Sequence, residues 1–90
     1  MRTLVPCPHY PVRDDIIESL QRYIDHGILP GSFLTAVLEN NLSNAVANAD
    51  PVNLANLRNI VGYVYNYLPS VAWGSRETVA DYLLQFIGDK

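Results

Sequence analysis

The fold depends most on residues 50–67, which read DPVNLANLRNIVGYVYNY. The stretch opens with Asp50-Pro51, a pair that favours a helix start because the Asp side chain can cap the helix and proline suits its first position. The apolar residues that follow at helical spacing are Leu54, Leu57, Val61, Val64 and Leu68, with Ile60 and Tyr67 beside them. We therefore predict a long central helix over about residues 51–67.

This central helix carries apolar residues over more than half of its circumference. It is therefore either wrapped by neighbouring helices or shared with a second subunit. Tyr63, Tyr65 and Tyr67 cannot all face one core, because they stand at i, i+2 and i+4. Tyr65 lies nearer the side of Leu54 and the other core candidates, so we expect Tyr63 or Tyr67 to face a surface, an interface or a ligand.

Shorter helices are predicted on both sides of the central one. The first is expected over about 12–26, ended by Gly27, and the second over about 33–39, where Phe33, Leu34, Val37 and Leu38 form a stripe. The third is expected over 42–49, after the interruption at Asn40-Asn41. A last helix is expected to open at Gly74-Ser75 and to end before Gly88. The loop residues Ile28 and Leu29 are apolar and are expected to pack inward. In the last helix, the expected buried stripe is Val79, Tyr82, Leu83, Phe86 and Ile87.

The first ten residues differ from the rest of the chain. Pro6 and Pro8, followed by Pro11, leave no helical period, so residues 1–10 are predicted to form an extended arm. Residues 1–90 as a whole are predicted to form one compact all-α domain of about five short helices around the helix at 51–67.

Composition narrows the classes of function. The chain has 90 residues, a net charge of −3 and only six Lys and Arg residues, which argues against a nonspecific binder of duplex nucleic acid. Cys7 is the only cysteine and cannot form an internal disulfide, which fits a reducing compartment. The longest apolar stretch, from Ile60 to Tyr65, is too short to cross a membrane. We therefore expect a cytoplasmic protein without a membrane partner.

Signatures of catalysis are missing from the sequence. His9 and His26 are the only histidines, and neither stands in a metal-binding pattern; Cys7-x-His9 is a chance-level pair. The sequence has no nucleophile elbow, phosphate-binding loop or glycine-rich dinucleotide turn. We accordingly expect no catalytic residues, no metal site and no cofactor, and hence a protein that is not an enzyme.

The segment Trp73-Gly74-Ser75-Arg76 has features of a ligand site. It opens a predicted helix, where unpaired backbone N–H groups favour an anion. Gly74 would allow close approach, Ser75 adds a hydroxyl, Arg76 adds donors suited to phosphate, and Trp73 offers a face for a nucleobase. The alternative is that Ser75 only caps the helix and Trp73 packs on Val79, and locally such caps are the commoner arrangement.

A second segment, Pro30-Gly31-Ser32, also places a glycine and a hydroxyl at a predicted helix start. Asparagine recurs along the chain, and amides such as those of Asn40 and Asn66 can read the uncharged edges of bases, although most asparagines cap helices or form turns.

Several segments together resemble a widespread family of small phage-encoded helical proteins. The matching stretches are GILPGSFLTAVLENNL at 27–42, Ala49-Asp50, Tyr65-Asn66 with Pro69, and Trp73-Gly74-Ser75. The family pattern is G-I-P-x-G-x-F-L-x-A-V-L-x-N-D-L, then A-D, Y-N-x-x-P and W-G-S. This chain departs from it through the extra Leu29 and through Asn41, where Asp is common, which leaves the loop before the second helix open.

The family is similar to the phage anti-CBASS sponges, which sequester cyclic dinucleotide signals. The resemblance implies a homo-oligomeric immune-evasion protein that binds a ligand such as 3′,3′-cGAMP without cleaving it, in pockets shared between subunits. The candidate ligand-binding residues are Gly31, Ser32, Asn40, Tyr65, Asn66, Trp73, Gly74, Ser75 and Arg76. The alternative function is a small helical module that inhibits or adapts a host protein, and a nucleotide-cleaving enzyme has the least support.

Overall fold

The computed structural model describes residues 3–87, and within this range the chain forms six α-helices and a turn of 3₁₀ helix. They are α1 (Asp14–His26), α2 (Ser32–Leu38), α3 (Leu42–Asn48), α4 (Pro51–Ala55), α5 (Leu57–Tyr67), the 3₁₀ turn (Ser70–Ala72) and α6 (Arg76–Ile87). The predicted all-α class is confirmed. The predicted end of the last helix at Gly88 lies outside the described residues.

Two of the predicted helix boundaries carry the expected local chemistry. Gly27 ends α1 in the left-handed conformation, with φ of 68°, and its N–H donates to the Tyr23 carbonyl at 3.0 Å. At the start of α4, the Asp50 carboxylate accepts from the Asn53 N–H at 2.7 Å, and Pro51 takes the first helical position. Both boundaries are confirmed.

The turn between α2 and α3 is made by two asparagines, as predicted. Asn40 adopts a left-handed conformation with φ of 59°, and the Asn41 side chain accepts from the Asn44 N–H at 3.1 Å. The turn allows α2 to pack against α3. All four residues of the predicted α2 stripe are buried.

The prediction of one continuous helix over residues 51–67 is wrong, because the helix is interrupted at Asn56. The Asn56 backbone leaves helical geometry, with φ of −104° and ψ of 11°. Its side chain donates to the Pro11 carbonyl at 3.1 Å and accepts from the Asn59 amide at 2.6 Å. A short amide side chain that bonds away from its own helix competes with helical continuation.

The predicted buried face of the central helix is also wrong in part. The core side of α5 is formed by Ile60, Tyr63 and Val64, whereas Leu54 in α4 and Val61 in α5 are exposed. Apolar residues stand on both faces of α5, so periodicity did not identify the inner face.

The expected orientation of the α5 tyrosines is wrong for Tyr65, which faces outward, whereas Tyr67, one of the two offered for an outward position, is half-buried and lines a surface hollow. Tyr65 is 68% exposed, and Tyr63 is 0% exposed. The Tyr63 hydroxyl donates to the Val5 carbonyl at 2.6 Å, so this tyrosine can be buried without leaving its polar atom unpaired.

Two further tyrosines connect distant segments through the same kind of hydrogen bond. The Tyr23 hydroxyl in α1 donates to the carbonyl of Ala72 in the 3₁₀ turn at 2.6 Å. The Tyr82 hydroxyl in α6 donates to the Ile24 carbonyl in α1 at 2.6 Å. These bonds attach the 3₁₀ turn and α6 to α1.

The part of the predicted N-terminal arm that is described contains no helix, and it contributes to the core. Leu4 and Cys7 are buried, and the Cys7 sulfur lies 2.8 Å from the Tyr67 hydroxyl of α5. The whole is one compact globule, with a radius of gyration of 12.5 Å for its Cα atoms.

Three further residues expected inside the molecule, besides Leu54 and Val61, lie at its surface. Ile28 and Leu29 are exposed because the connection between α1 and α2 runs over the outside, as loops usually do. Ile87 is exposed beside Phe86, the α6 residue whose ring lies over Gly27 of the α1 cap. Among residues 3–87, no helix has the length and apolar character needed to cross a bilayer.

Candidate functional site

A groove of about 730 Å³ lies along one face of α5. Its lining residues from α5 are Leu57, Arg58, Val61, Gly62, Tyr65 and Asn66. Residues at i, i+4, i+7 and i+8 of a helix share a face, which is why positions 58, 62, 65 and 66 meet there. We call this space the α5 groove.

Three residues from other parts of the chain complete the α5 groove: Tyr10 from the N-terminal segment, Asn40 from the α2–α3 turn and Trp73 from the segment before α6. Tyr10 approaches α5 closely because Gly62 has no side chain; a Cβ atom there would collide with the Tyr10 ring. The rings of Tyr65 and Trp73 meet edge to face, with centroids 5.4 Å apart.

Trp73 is held by bonds on both sides of it in the chain. The preceding residue, Ala72, accepts the Tyr23 hydroxyl, and the following residue, Gly74, donates its N–H to the Leu38 carbonyl at 2.8 Å. Gly74 has φ of 122°, a conformation that residues with a Cβ rarely adopt. The indole Nε1 of Trp73 is buried and has no hydrogen-bond partner among the described residues.

Arg58 gives the groove a positive charge. Its side chain is exposed, and among residues 3–87 it makes no ion pair. It also lines a neighbouring polar hollow of about 440 Å³, together with His9, Tyr10, Asn59, Asn66 and Tyr67. Because Tyr10, Arg58 and Asn66 belong to both spaces, the guanidinium stands where the polar hollow adjoins the α5 groove.

A hydrogen-bonded pair, Cys7 and Tyr67, lies beside the polar hollow. The bond between them lowers the pKa of the Cys7 thiol and raises the pKa of the Tyr67 hydroxyl. Within the described range, no three His, Cys, Asp or Glu side chains lie close enough to hold a metal ion together.

The structure places four of the nine predicted site residues around one space. Asn40, Tyr65, Asn66 and Trp73 all line the α5 groove. Gly31 and Ser32 line a separate hollow of about 570 Å³, to which Glu39 contributes a carboxylate.

The remaining three predicted site residues, Gly74, Ser75 and Arg76, are not part of the groove lining. The Ser75 hydroxyl accepts from the Thr78 N–H at 3.0 Å, and the Gly74 N–H is bonded to Leu38. Ser75 therefore caps the start of α6, as in the alternative that the sequence left open, and Arg76 does not line the α5 groove with Trp73.

Sequence reasoning missed Arg58, Tyr10 and Gly62 as groove residues. The signal for Arg58 was present in its spacing from Tyr65 and Asn66, which places the three on one helical face. Tyr10 carried no such signal, because only the tertiary structure brings the N-terminal segment to α5.

No protein-family model, curated protein or solved structure matches this chain in the comparisons with known proteins.

Proposed function

We propose that the α5 groove binds a nucleotide, and that the protein acts as a phage immune-evasion protein that sequesters cyclic dinucleotides such as 3′,3′-cGAMP without cleaving them. The observation that carries this proposal is the meeting of Tyr65, Trp73 and Arg58 in one groove, where Arg58 makes no ion pair with another residue of 3–87. An exposed tyrosine ring and a half-buried tryptophan ring beside a cation suit a ligand that is both flat and anionic.

The size and lining of the groove support a ligand of this class. Its volume of about 730 Å³ falls within the roughly 300–1,000 Å³ usual for small-molecule sites. Stacking on one aromatic side chain contributes about 1–3 kcal/mol per base. A hydrogen bond from a charged group such as Arg58 contributes about 1.5–3 kcal/mol. Asn40 and Asn66 add amide donors and acceptors at the edges.

Fluorescence of Trp73 provides a direct test, because it is the only tryptophan of the chain. We expect a saturable change on titration with 3′,3′-cGAMP, cyclic di-GMP or cyclic di-AMP, checked by calorimetry. Chromatography of the ligand released by denaturation should return it intact, since the proposal includes no cleavage. Absence of binding to all three ligands would overturn the proposal, and a linear product would overturn its sequestering part.

Two arginines provide a matched pair of variants. Arg58→Ala should raise the Kd about tenfold or more, because it removes a charge-assisted contact. Arg76→Ala removes an equally exposed arginine outside the groove lining and should leave the Kd unchanged. Neither should change the free energy of unfolding by more than about 0.5 kcal/mol. Equal losses of affinity in the two variants would contradict an anion contact at Arg58.

A second candidate function, a helical protein-interaction module or a self-associating subunit, is favoured by the exposed apolar residues Leu42 and Val46 at i and i+4 of α3. Sedimentation equilibrium distinguishes this function from nucleotide binding alone. If α3 is an interface between copies, Val46→Ser should weaken self-association, whereas Arg58→Ala should not.

A further inference from the structure

The polar hollow beside the α5 groove is lined, among residues 3–87, by two basic residues, His9 and Arg58, and by no acidic one. Both basic residues are exposed, so a ligand in the hollow can reach their side-chain N–H groups. The chain as a whole is acidic, with nine Asp and Glu residues against six Lys and Arg. The hollow is therefore a place where an anion meets basic groups without a carboxylate in the same lining.

We infer that the polar hollow is the phosphate subsite of the nucleotide site, in which His9 and Arg58 donate to one phosphodiester while the attached base lies against Tyr65 in the α5 groove. The inference rests on the proposed function and assigns the two chemical parts of the ligand to two adjoining spaces. It also adds His9 to the residues that contact the ligand.

A tight turn holds His9 at the hollow. The turn is Cys7-Pro8-His9-Tyr10, closed by a bond from the Tyr10 N–H to the Cys7 carbonyl at 3.2 Å. Pro8 suits the second position of such a turn because its ring fixes φ. Both ends of the turn rest on α5, since the Cys7 sulfur lies 2.8 Å from the Tyr67 hydroxyl and the Tyr10 ring packs at a glycine of α5. The backbone that carries His9 is thus held in place without a ligand, which lowers the cost of binding one.

The side chains of the hollow suit the oxygen atoms of a phosphodiester. These oxygens accept hydrogen bonds, whereas an imidazole keeps an N–H donor in either protonation state and a guanidinium has five. The amides of Asn59 and Asn66 line the same hollow. Each uses one N–H inside the protein, toward the Asn56 side chain and the Gly62 carbonyl, and an amide has a second N–H to donate. Hydrogen bonds to an ionised acceptor are the strong ones, so this lining favours an anion.

The two spaces adjoin, so one nucleotide can occupy both. Tyr10, Arg58 and Asn66 line the hollow and the groove alike. Of these two spaces, Tyr65 lines only the groove and His9 lines only the hollow. The stacking ring and the second basic side chain therefore belong to different spaces that meet at shared residues, as the base and the phosphate of a nucleotide meet at its ribose.

The test compares a charged ligand with an uncharged copy of it. The charged ligand is whichever of 3′,3′-cGAMP, cyclic di-GMP and cyclic di-AMP binds the natural protein most tightly. In the copy, both phosphodiesters are replaced by methylphosphonates, which keeps the bases, the riboses and the ring but removes the charge. Calorimetry gives the Kd of both ligands for the natural protein, for His9→Ala and for His26→Ala. His26 is the matched control, because it is the only other histidine, is exposed, and lines neither space.

We expect the natural protein to bind the charged ligand at least about tenfold more tightly than the uncharged copy. His9→Ala should raise the Kd of the charged ligand about tenfold, the loss expected of one hydrogen bond to a charged group, and the Kd of the copy less than about twofold. His26→Ala should change neither value. The melting temperature of His9→Ala should match that of the natural protein, because the side chain is exposed.

The outcomes separate this inference from the proposed function. An unchanged Kd of the charged ligand in His9→Ala, or an equal loss for the two ligands, overturns the phosphate subsite but leaves nucleotide binding in the groove intact. Equal affinity of the natural protein for the charged ligand and its copy overturns the subsite as well. Failure of all three cyclic dinucleotides to bind the natural protein overturns the subsite and the proposed function together.

Discussion

At the scale of single residues, the tyrosine hydroxyls show how a chain with few charges orders its segments. Tyr23 and Tyr63 are completely buried, and each donates to a backbone carbonyl far away in sequence. A phenol can do this because its ring fills the core while its hydroxyl pairs a carbonyl that would otherwise be left without a partner. The Tyr23 bond has a further role, since Ala72 directly precedes Trp73 of the groove.

Tyr23→Phe should destabilise the protein by about 1–2 kcal/mol, because the variant leaves the buried Ala72 carbonyl unpaired. Urea denaturation measures this change. Tyr65→Phe is the matched control, since Tyr65 is exposed and its loss of a hydroxyl should cost less than about 0.5 kcal/mol.

The same variant tests a dependence on pH. Burial raises the pKa of Tyr23 above its ordinary value of 10.0, with Tyr82 and Glu39 adding smaller repulsions. The pKa of Tyr23 is higher in the folded state than in the unfolded state, so the neutral hydroxyl contributes its full stabilisation at pH values below the ordinary pKa. This contribution is lost as the pH rises above the ordinary pKa toward the folded-state one. The urea concentration at the midpoint of unfolding should therefore decrease as the pH rises above about 10. The decrease should be less steep in Tyr23→Phe. An identical slope in the variant would contradict the assignment.

At the scale of elements, α5 uses two faces: one packs into the core and the other lines the α5 groove. Its inner face packs Ile60, Tyr63 and Val64 into the core, and its outer face presents Arg58 and Tyr65 to the groove. Gly62 stands on the outer face, where its missing side chain admits the ring of Tyr10.

The contact between Gly62 and Tyr10 can be tested by a double-mutant cycle. Gly62→Ala alone should destabilise the protein, because the new Cβ displaces Tyr10. In a Tyr10→Ala background, the same change should stabilise it by about 0.5–1 kcal/mol, the ordinary helix preference of alanine over glycine. Thermal unfolding of the four proteins measures the coupling. An equal effect of Gly62→Ala in both backgrounds would show that the ring does not rest on this glycine.

Local sequence signals predicted most of the helices, but features that depend on tertiary contacts were missed. Gly27 and Asn40 act through their own backbone geometry, and Asp50 and Asn41 act through side-chain caps three residues away, so the sequence alone located the boundaries that they set. The break at Asn56 depends on the distant Pro11 carbonyl and could not be predicted from spacing.

The candidate site likewise has some features that the sequence predicts and others that depend on tertiary packing. Trp73, Tyr65 and Asn66 were predicted by residue type, but the meeting of Trp73 with α5 is a product of packing. Arg76 was predicted as the cation of the site because the start of α6 was taken as an open helix end, whereas the Ser75 side chain caps it. Residue type suggested the kind of site that we propose, and only the fold shows which arginine lines the groove.

At the scale of the whole molecule, the N-terminal segment belongs to the same core as the helices. Leu4 is only 7% exposed, while its neighbour Val5 is 57% exposed. A domain of this size buries a limited fraction of its surface, so each buried side chain matters to its stability.

Leu4→Ala should therefore reduce the free energy of unfolding by about 2–4 kcal/mol, whereas Val5→Ala should change it by less than about 0.5 kcal/mol. Denaturation followed by both Trp73 fluorescence and far-UV circular dichroism measures these values. The two signals should give one midpoint if the segment and the helices unfold as a unit. Equal effects of the two substitutions would mean that the segment lies outside the cooperative core.

The position of Tyr10 couples the α5 groove to the N-terminal segment. Tyr10 supplies one side of the groove, and the segment before it is anchored by the buried Leu4 and Cys7 and by the bond from the Tyr63 hydroxyl to the Val5 carbonyl. A substitution that loosens these anchors would therefore lower the free energy of unfolding and open that side of the groove together. The shape of the groove and the cohesion of the bundle thus depend on the same few contacts.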